Sequence, residues 1–211
     1  MKKNVKKIFA IALSLMLVLC FVGCGESSGP DTVVKTFCDS LQAFDLTAAR
    51  DCLQDPSEQE DNLVSEEELA ESLGSAEFLD YLKESVAKMT YEIGEATEDG
   101  DNGTVTVTFT YSDVSPVLDA AMDDFLVEGL ELALNGAEDS ELEDLLYDIF
   151  MEKTESEEIT TTTCDITFDC VKVDDAWKIG SFSEETENAV LDVLTSNMVT
   201  AIDEWSDNMD E

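Results

Sequence analysis

The tightest constraint on the fold is a run in which every second residue is apolar. Val105, Val107, Phe109 and Tyr111 alternate with Thr106, Thr108 and Thr110. Successive side chains of an extended strand point to opposite faces, so this spacing fits a half-buried strand and not a helix. A second run repeats the pattern. Thr160, Thr162, Cys164, Ile166, Phe168 and Cys170 fall on one face, and Thr161, Thr163, Asp165, Thr167 and Asp169 fall on the other. Ahead of the first run, Tyr91 to Thr97 leads into Asp99-Gly100-Asp101-Asn102-Gly103, which predicts a hairpin closing at Asn102-Gly103. Val173-Asp174-Asp175-Ala176 turns the second run onto a partner strand carrying Trp177, Ile179 and Ser181. The expectation is an antiparallel sheet. The Asp-rich turn does not read as a calcium loop. The register with glycine at loop position six starts at Glu95 and ends on Thr106, where such a loop needs glutamate.

Helical spacing occupies most of the remainder. Pro30 and Asp31 open a helix with Val34, Phe37, Cys38, Leu41 and Phe44 on one stripe. Asp45 is the expected N-cap of a short helix carrying Leu46, Ala49 and Leu53. Asp55 to Asp61 reads as an acidic loop. Ser65 and Glu68 form a capping box with Val64 and Leu69 as its staple, and Gly74 stops that helix. Ser75 caps the next, with Phe78, Leu82, Val86 and Met89 on one face.

Between the two strand runs, Asp113 to Asn135 is expected to be a helix apolar enough to be mostly covered. Ser140 is expected to cap another with Leu142, Leu145, Leu146, Ile149 and Phe150 in its stripe. The pair reads as an inserted helical hairpin over 114–154. From Ser183 a long C-terminal helix is expected, with Val190, Val193, Leu194, Asn197, Met198, Ala201, Ile202 and Trp205 in one stripe. No internal repeat is present.

The chain begins with a different kind of signal. Lys2, Lys3, Lys6 and Lys7 precede an apolar run from Ile8 to Val22, 15 residues long, followed by Gly23 and Cys24. A membrane span needs about 20 apolar residues, so the run has the length of a secretory signal. A cysteine at the cleavage point resembles the lipobox of bacterial lipoproteins. Cys24 follows glycine and Cys20 follows Leu19, and the peptidase favours a small residue there, so Cys24 is the expected lipidation site. The resemblance implies a diacylglycerol thioether, whose two chains suffice for stable anchoring. The expected organisation is a signal over 1–23, a lipidated tether over 24–30 and one domain over 31–211. The expected location is the extracytoplasmic face of the bacterial cell membrane.

Charge narrows the partners. The chain carries 50 acidic and 11 basic residues, a formal charge of −39. Four of the lysines lie in the leader, so a chain starting at Cys24 carries seven basic residues and a charge of −43. Such a surface repels nucleic acid and anionic headgroups. Its ordinary reading is solubility beside an anionic envelope, and its sharper one is weak binding of divalent cations. There is no histidine, which removes the commonest general base and zinc ligand. No carboxylate pair stands out as catalytic, and no cofactor or metal motif is present.

Pro-x-x-Val-Val-x-x-Phe in the first helix, Asp-Leu-Thr-Ala-Ala in the second and the late pair ending Asp174-Asp175-Ala176-Trp177-Lys178-Ile179 together resemble the nuclear-transport-factor-2-like, cystatin-like domains of bacterial lipoproteins. The resemblance spans Pro30 to Leu53 and Thr90 to Phe182. It implies an α+β fold in which N-terminal helices pack into a curved antiparallel sheet and leave a cone-shaped pocket. Enzymatic members use polar groups, often Asp and His, in that pocket, and this chain has no His to take the role. The insertion at 114–154 and the long C-terminal helix depart from the smallest members.

Cys164 and Cys170 lie about 20 Å apart if both sit on one strand, too far to bridge. Cys38 with Cys52, across the first two helices, is geometrically easier, and the alternative is four buried thiols. Trp177 and Trp205 are read as core rather than pocket lining. Asn197 is the polar residue to watch if a pocket surrounds it. The expected function is binding of an unknown protein or small molecule without chemistry. The alternatives are an envelope accessory protein acting through a homodimer or partner interface, and a carboxylate enzyme.

Overall fold

Both alternating runs form strands, and they pair with each other. The computed structural model describes residues 29–56, 69–70, 73 and 75–209. The expected signal and tether with Cys20 and Cys24, the Ser65–Glu68 capping box with Val64, most of the acidic loop and the Gly74 stop lie outside the described residues. Strands β1 (Thr90–Asp99), β2 (Asn102–Asp113), β3 (Thr160–Val173) and β4 (Ala176–Ile179) form an antiparallel sheet in the order β1-β2-β3-β4. With helices α1 (Pro30–Gln42), α2 (Leu46–Arg50), α3 (Ala76–Val86), α4 (Ser115–Leu134), α5 (Asp139–Ser156), α6 (Glu184–Thr195) and α7 (Met198–Met209), the fold is α+β.

Alternation decides which face of the sheet is covered. Val105, Val107, Phe109 and Tyr111 of β2 and Ile166, Phe168 and Cys170 of β3 are buried. Helices α1, α3 and α6 pack over that side. The opposite face is stitched by hydroxyls. Thr106 meets Thr167 at 2.9 Å, Thr97 meets Thr104 at 2.8 Å and Thr108 donates to Asp165 at 2.6 Å. On the covered side, Phe37 of α1 meets Phe168 edge-on at 5.5 Å between ring centres, and Phe182 at 6.0 Å. Each such aromatic contributes about 1.5–3 kcal/mol by leaving water.

The first hairpin closes earlier than its Asn-Gly pair suggests. Asp99 pairs with Asn102, so the loop is Gly100-Asp101, with φ of +66° at Gly100, while Gly103 is a strand residue opposite Glu98. A bulge between Ile93 and Ala96 adds one residue to β1. Without it, the register near the turn would set Tyr91 and Ile93 opposite Thr110 and Thr108, on the hydroxyl face. With it, they face Phe109 and Val107. One inserted residue thus returns two apolar side chains to the core side.

The helix starts follow their caps. Asp45 accepts from Ala48 N–H at 2.9 Å, Ser75 from Phe78 N–H at 3.2 Å and Ser183 from Thr186 N–H at 3.1 Å. Three expectations need correction. Helix α5 is capped by Glu138 rather than Ser140: the Glu138 side chain accepts from the Glu141 N–H, and the Glu141 carboxylate accepts from the Glu138 N–H at 2.9 Å. Helix α4 is not mostly covered: Val117, Leu118 and Ala121 are buried, but its second half is exposed.

The C-terminal helix is not continuous. Ser196 and Asn197 both take left-handed φ, +60° and +72°, and divide it into α6 and α7. Asp192 then accepts from Thr200 N–H at 3.0 Å and Thr200 Oγ1 at 2.6 Å, capping the start of α7. Helices α4 and α5 pack on each other between the paired ends of β2 and β3.

Candidate functional site

An apolar hollow lies among helices, not against the sheet. Phe44, Leu46, Leu69, Leu73, Phe78, Leu82, Leu118, Leu146, Tyr147, Phe150, Leu191, Leu194, Thr195, Met198, Val199 and Ile202 line a cavity of about 350 Å³. No lining residue comes from β1–β4. The resemblance implied a pocket between helices and sheet; here the sheet's covered face is filled by Phe37, Phe109 and Phe168, all under 2% exposed.

Local backbone places the walls. Phe44 follows α1 with φ of +56°, a conformation a bulky residue seldom takes. Its N–H donates to Leu41 O at 2.8 Å, and Asp45 N–H donates to Ser40 O at 2.8 Å. This tight exit turns the chain into α2 while Phe44 lines the cavity. The break at Ser196-Asn197 does the same on the far wall, carrying Leu194 and Thr195 on one helix and Met198, Val199 and Ile202 on the next. An aromatic cluster closes the α3–α5 side. Phe78 lies 5.1 Å from Tyr147 and 5.6 Å from Phe150, and Tyr81 lies 5.5 Å from Phe150.

Among the described lining residues, polar chemistry is confined to two hydroxyls. Thr195 Oγ1 donates to Leu191 O at 2.8 Å and is thereby satisfied. Tyr147 is pushed above its ordinary phenol value, by burial first and the Glu143 charge second, so it stays neutral at physiological pH. Beside it, burial pushes Tyr81 up to about 12, and its buried hydroxyl has no hydrogen-bond partner among the described residues. Among the described residues no carboxylate, amine or thiol lines the cavity. The arrangement can hold apolar matter. Its described lining offers no group poised to move a proton.

The residues singled out in the sequence lie elsewhere. Asn197 is half-buried at the α6–α7 break, where its amide donates to Asp113 Oδ1 at 3.2 Å and Ser115 Oγ at 3.1 Å. Nearby, the buried Ser85 and Ser196 hydroxyls meet at 2.6 Å, and Val114 N–H donates to Ser196 O at 3.0 Å. This polar seam locks the break to the end of β2. Trp177 is buried on β4 beneath Lys172, whose Nζ sits 4.6 Å from the ring centre, and Trp205 is half-buried on α7 outside the cavity lining.

Cys38 and Cys52, expected to be the easiest pair to bridge, are both buried and both free; Cys170, also buried, and Cys164, half-buried, are free too. The Cys52 thiol, just past α2, donates to Ala48 O of that helix at 3.5 Å. Among the described residues no three His, Cys, Asp or Glu converge as metal ligands would, and no helix is long and apolar enough to cross a membrane.

Sequence reasoning placed Phe44, Phe78, Leu82, Phe150 and Leu194 on apolar stripes but had no means of seeing the space between those stripes. Tyr147 and Thr195 were missed. The polar run Thr195-Ser196-Asn197, interrupting an apolar stripe, was the available signal for the helix break that forms one wall. Comparison with known proteins gives no match to any family model, curated protein or solved structure.

Proposed function

We propose that this chain is a lipid-anchored extracytoplasmic protein whose domain binds a small apolar ligand without transforming it. The observation that carries the reading is the cavity of about 350 Å³, lined by Phe44, Phe78, Tyr147 and Phe150 among aliphatic side chains, with two hydroxyls among the described lining residues. Ligand sites are typically apolar hollows with a few polar groups that orient the guest. The nuclear-transport-factor-2-like assignment, with a curved sheet and α4–α5 as an inserted helical hairpin, belongs to the same proposal. It is supported by the helix–helix–sheet order and by the position of both helices between β2 and β3. The anchor is Cys24, supported by the leader ahead of it.

Titration of the full chain with a fluorescent naphthylamine probe tests the cavity. The expected result is a blue-shifted signal that weakens about tenfold or more in Leu146→Trp, which fills the space. An unchanged affinity in that variant overturns the reading. For the anchor, Cys24→Ala is expected to leave the membrane fraction; retention there at the unprocessed mass sinks the lipidation claim. A second reading, an accessory envelope protein working through a homodimer or partner interface, draws on the exposed apolar face of α4.

A further inference from the structure

The second half of α4 presents an apolar strip that the other described elements leave uncovered. Leu126 is 42%, Leu130 62%, Val127 72% and Leu134 80% exposed. Offsets of one, four and eight residues from Leu126 place all four on one side of the helix. Single exposed apolar residues are ordinary; a continuous strip marks a contact surface.

Charge decides what can cover it. Helix α4 carries Asp119, Asp123, Asp124, Glu128 and Glu131 and no basic residue. Asp123, one turn ahead of Leu126 and Val127, and Glu131, one turn after Val127, are exposed beside the strip. The one lysine of α5, Lys153, is engaged with Asp124 at 2.5 Å. A second copy would bring two acidic rims together, each on a chain of net charge −39, and like charges across an interface disfavour it. An anionic membrane surface meets the same repulsion. A helix with an apolar face fringed by lysine or arginine complements both the strip and its rim.

We propose that the C-terminal half of α4 docks a cationic amphipathic helix of a partner protein, with its apolar face on Val127 and Leu130 and its cations against Asp123 and Glu131. The proposal rests on the interface reading and is independent of the cavity.

The test titrates the full chain, held in zwitterionic nanodiscs, with labelled model peptides of one length, and subtracts empty nanodiscs. One peptide is an amphipathic leucine–lysine helix, one its leucine–glutamate counterpart, and one a lysine–serine peptide with no apolar face. Binding of the leucine–lysine peptide alone is expected. Its affinity is expected to fall about tenfold or more in the double variant Val127→Ser/Leu130→Ser, through lost apolar contact. A similar fall is expected in Asp123→Asn/Glu131→Gln and when salt is raised from about 0.05 to 0.5 M. Equal binding of all three peptides, or indifference to both double variants, overturns the proposal. Sedimentation of the full chain separates the readings. Self-association abolished by Val127→Ser/Leu130→Ser overturns the cationic partner but keeps the interface, whereas neither peptide binding nor self-association overturns both.

Discussion

Asn197 donates its side-chain amide to the Asp113 carboxylate at 3.2 Å, joining residues 84 positions apart in the chain. The bond ties the break between α6 and α7 to the point where β2 ends and α4 begins. It also occurs at a backbone φ of +72°, where asparagine is better tolerated than other side-chain-bearing residues. The residue therefore has two separable roles, one in hydrogen bonding and one in conformation.

Asn197→Ala removes both amide contacts and leaves a residue ill-suited to the left-handed conformation. Its expected cost is about 1–3 kcal/mol. Asn197→Gly loses the same bonds but adopts positive φ freely, so it should be the less destabilised of the two. Denaturant unfolding compares them directly. Equal losses would remove the conformational half of the explanation.

Asp113 predicts how this seam responds to acid. Burial pushes its carboxyl up, but the Ser115 hydroxyl and N–H together with the Asn197 amide outweigh that and hold it below the ordinary 3.8. Between the folded and unfolded values the unfolded chain binds more protons, so the stabilisation is present above the unfolded value and lost as pH falls through the folded one. Asp113→Asn should flatten the acid limb of the stability curve below about pH 4. Parallel curves for variant and wild type down to the acid transition would contradict this.

Two glycines of the first hairpin should fail for different reasons. At Gly103 a Cβ would lie 2.6 Å from Thr97 O and 3.3 Å from Trp177 Cη2, so Gly103→Ala must push strands apart. At Gly100 the surrounding space is open, and the cost of Gly100→Ala comes from φ of +66° alone. We expect about 1 kcal/mol for Gly100→Ala and about 1–3 kcal/mol for Gly103→Ala. Gly100→Asn should recover part of the first, because asparagine tolerates positive φ, whereas the contact at Gly103 remains with any side chain. Recovery at Gly103 rather than Gly100 would place the turn at Asn102-Gly103 after all.

The three buried thiols should be silent until the protein unfolds. Burial, helped by the neighbouring Asp39 and Asp169 charges, pushes Cys38 and Cys170 up to about 12. Little thiolate then exists near neutral pH, and it is the thiolate that reacts. Alkylation of the native protein read by mass spectrometry should modify half-buried Cys164 before the buried Cys38, Cys52 and Cys170. Denaturation without reductant should then release all four. A deficit of two at Cys38 and Cys52 would reveal a bridge in place of the free thiols.

The sheet was legible because its signal is local. Alternation over Val105 to Tyr111 and over Ile166 to Cys170 gives the same faces in the sequence and in the structure. Caps at Asp45, Ser75 and Ser183 were legible for the same reason, since each acts within one turn. What escaped depended on distant partners. The bulge after Ile93 exists because Phe109 and Val107 lie opposite. The break at Asn197 exists because Asp113 and Ser115 receive its amide. The exposed half of α4 misled for the opposite reason: apolar residues predicted cover, and the described elements supply none there.

Asp113 and Thr160 face each other across β2 and β3, so residues 114–159 leave the sheet and rejoin it at one point. In terms of descent, this is a graft junction. An excursion of another length or shape could replace α4 and α5 without altering a single strand partner, provided it supplied side chains in place of Val117, Leu118, Ala121, Ile149 and Phe150. Gly100-Asp101 and Asp174-Asp175 have no such freedom, since each two-residue loop sets the register of its own hairpin. Related chains would then diverge first, and furthest, in the segment that carries the exposed strip, and the sheet beneath would keep no record of the exchange.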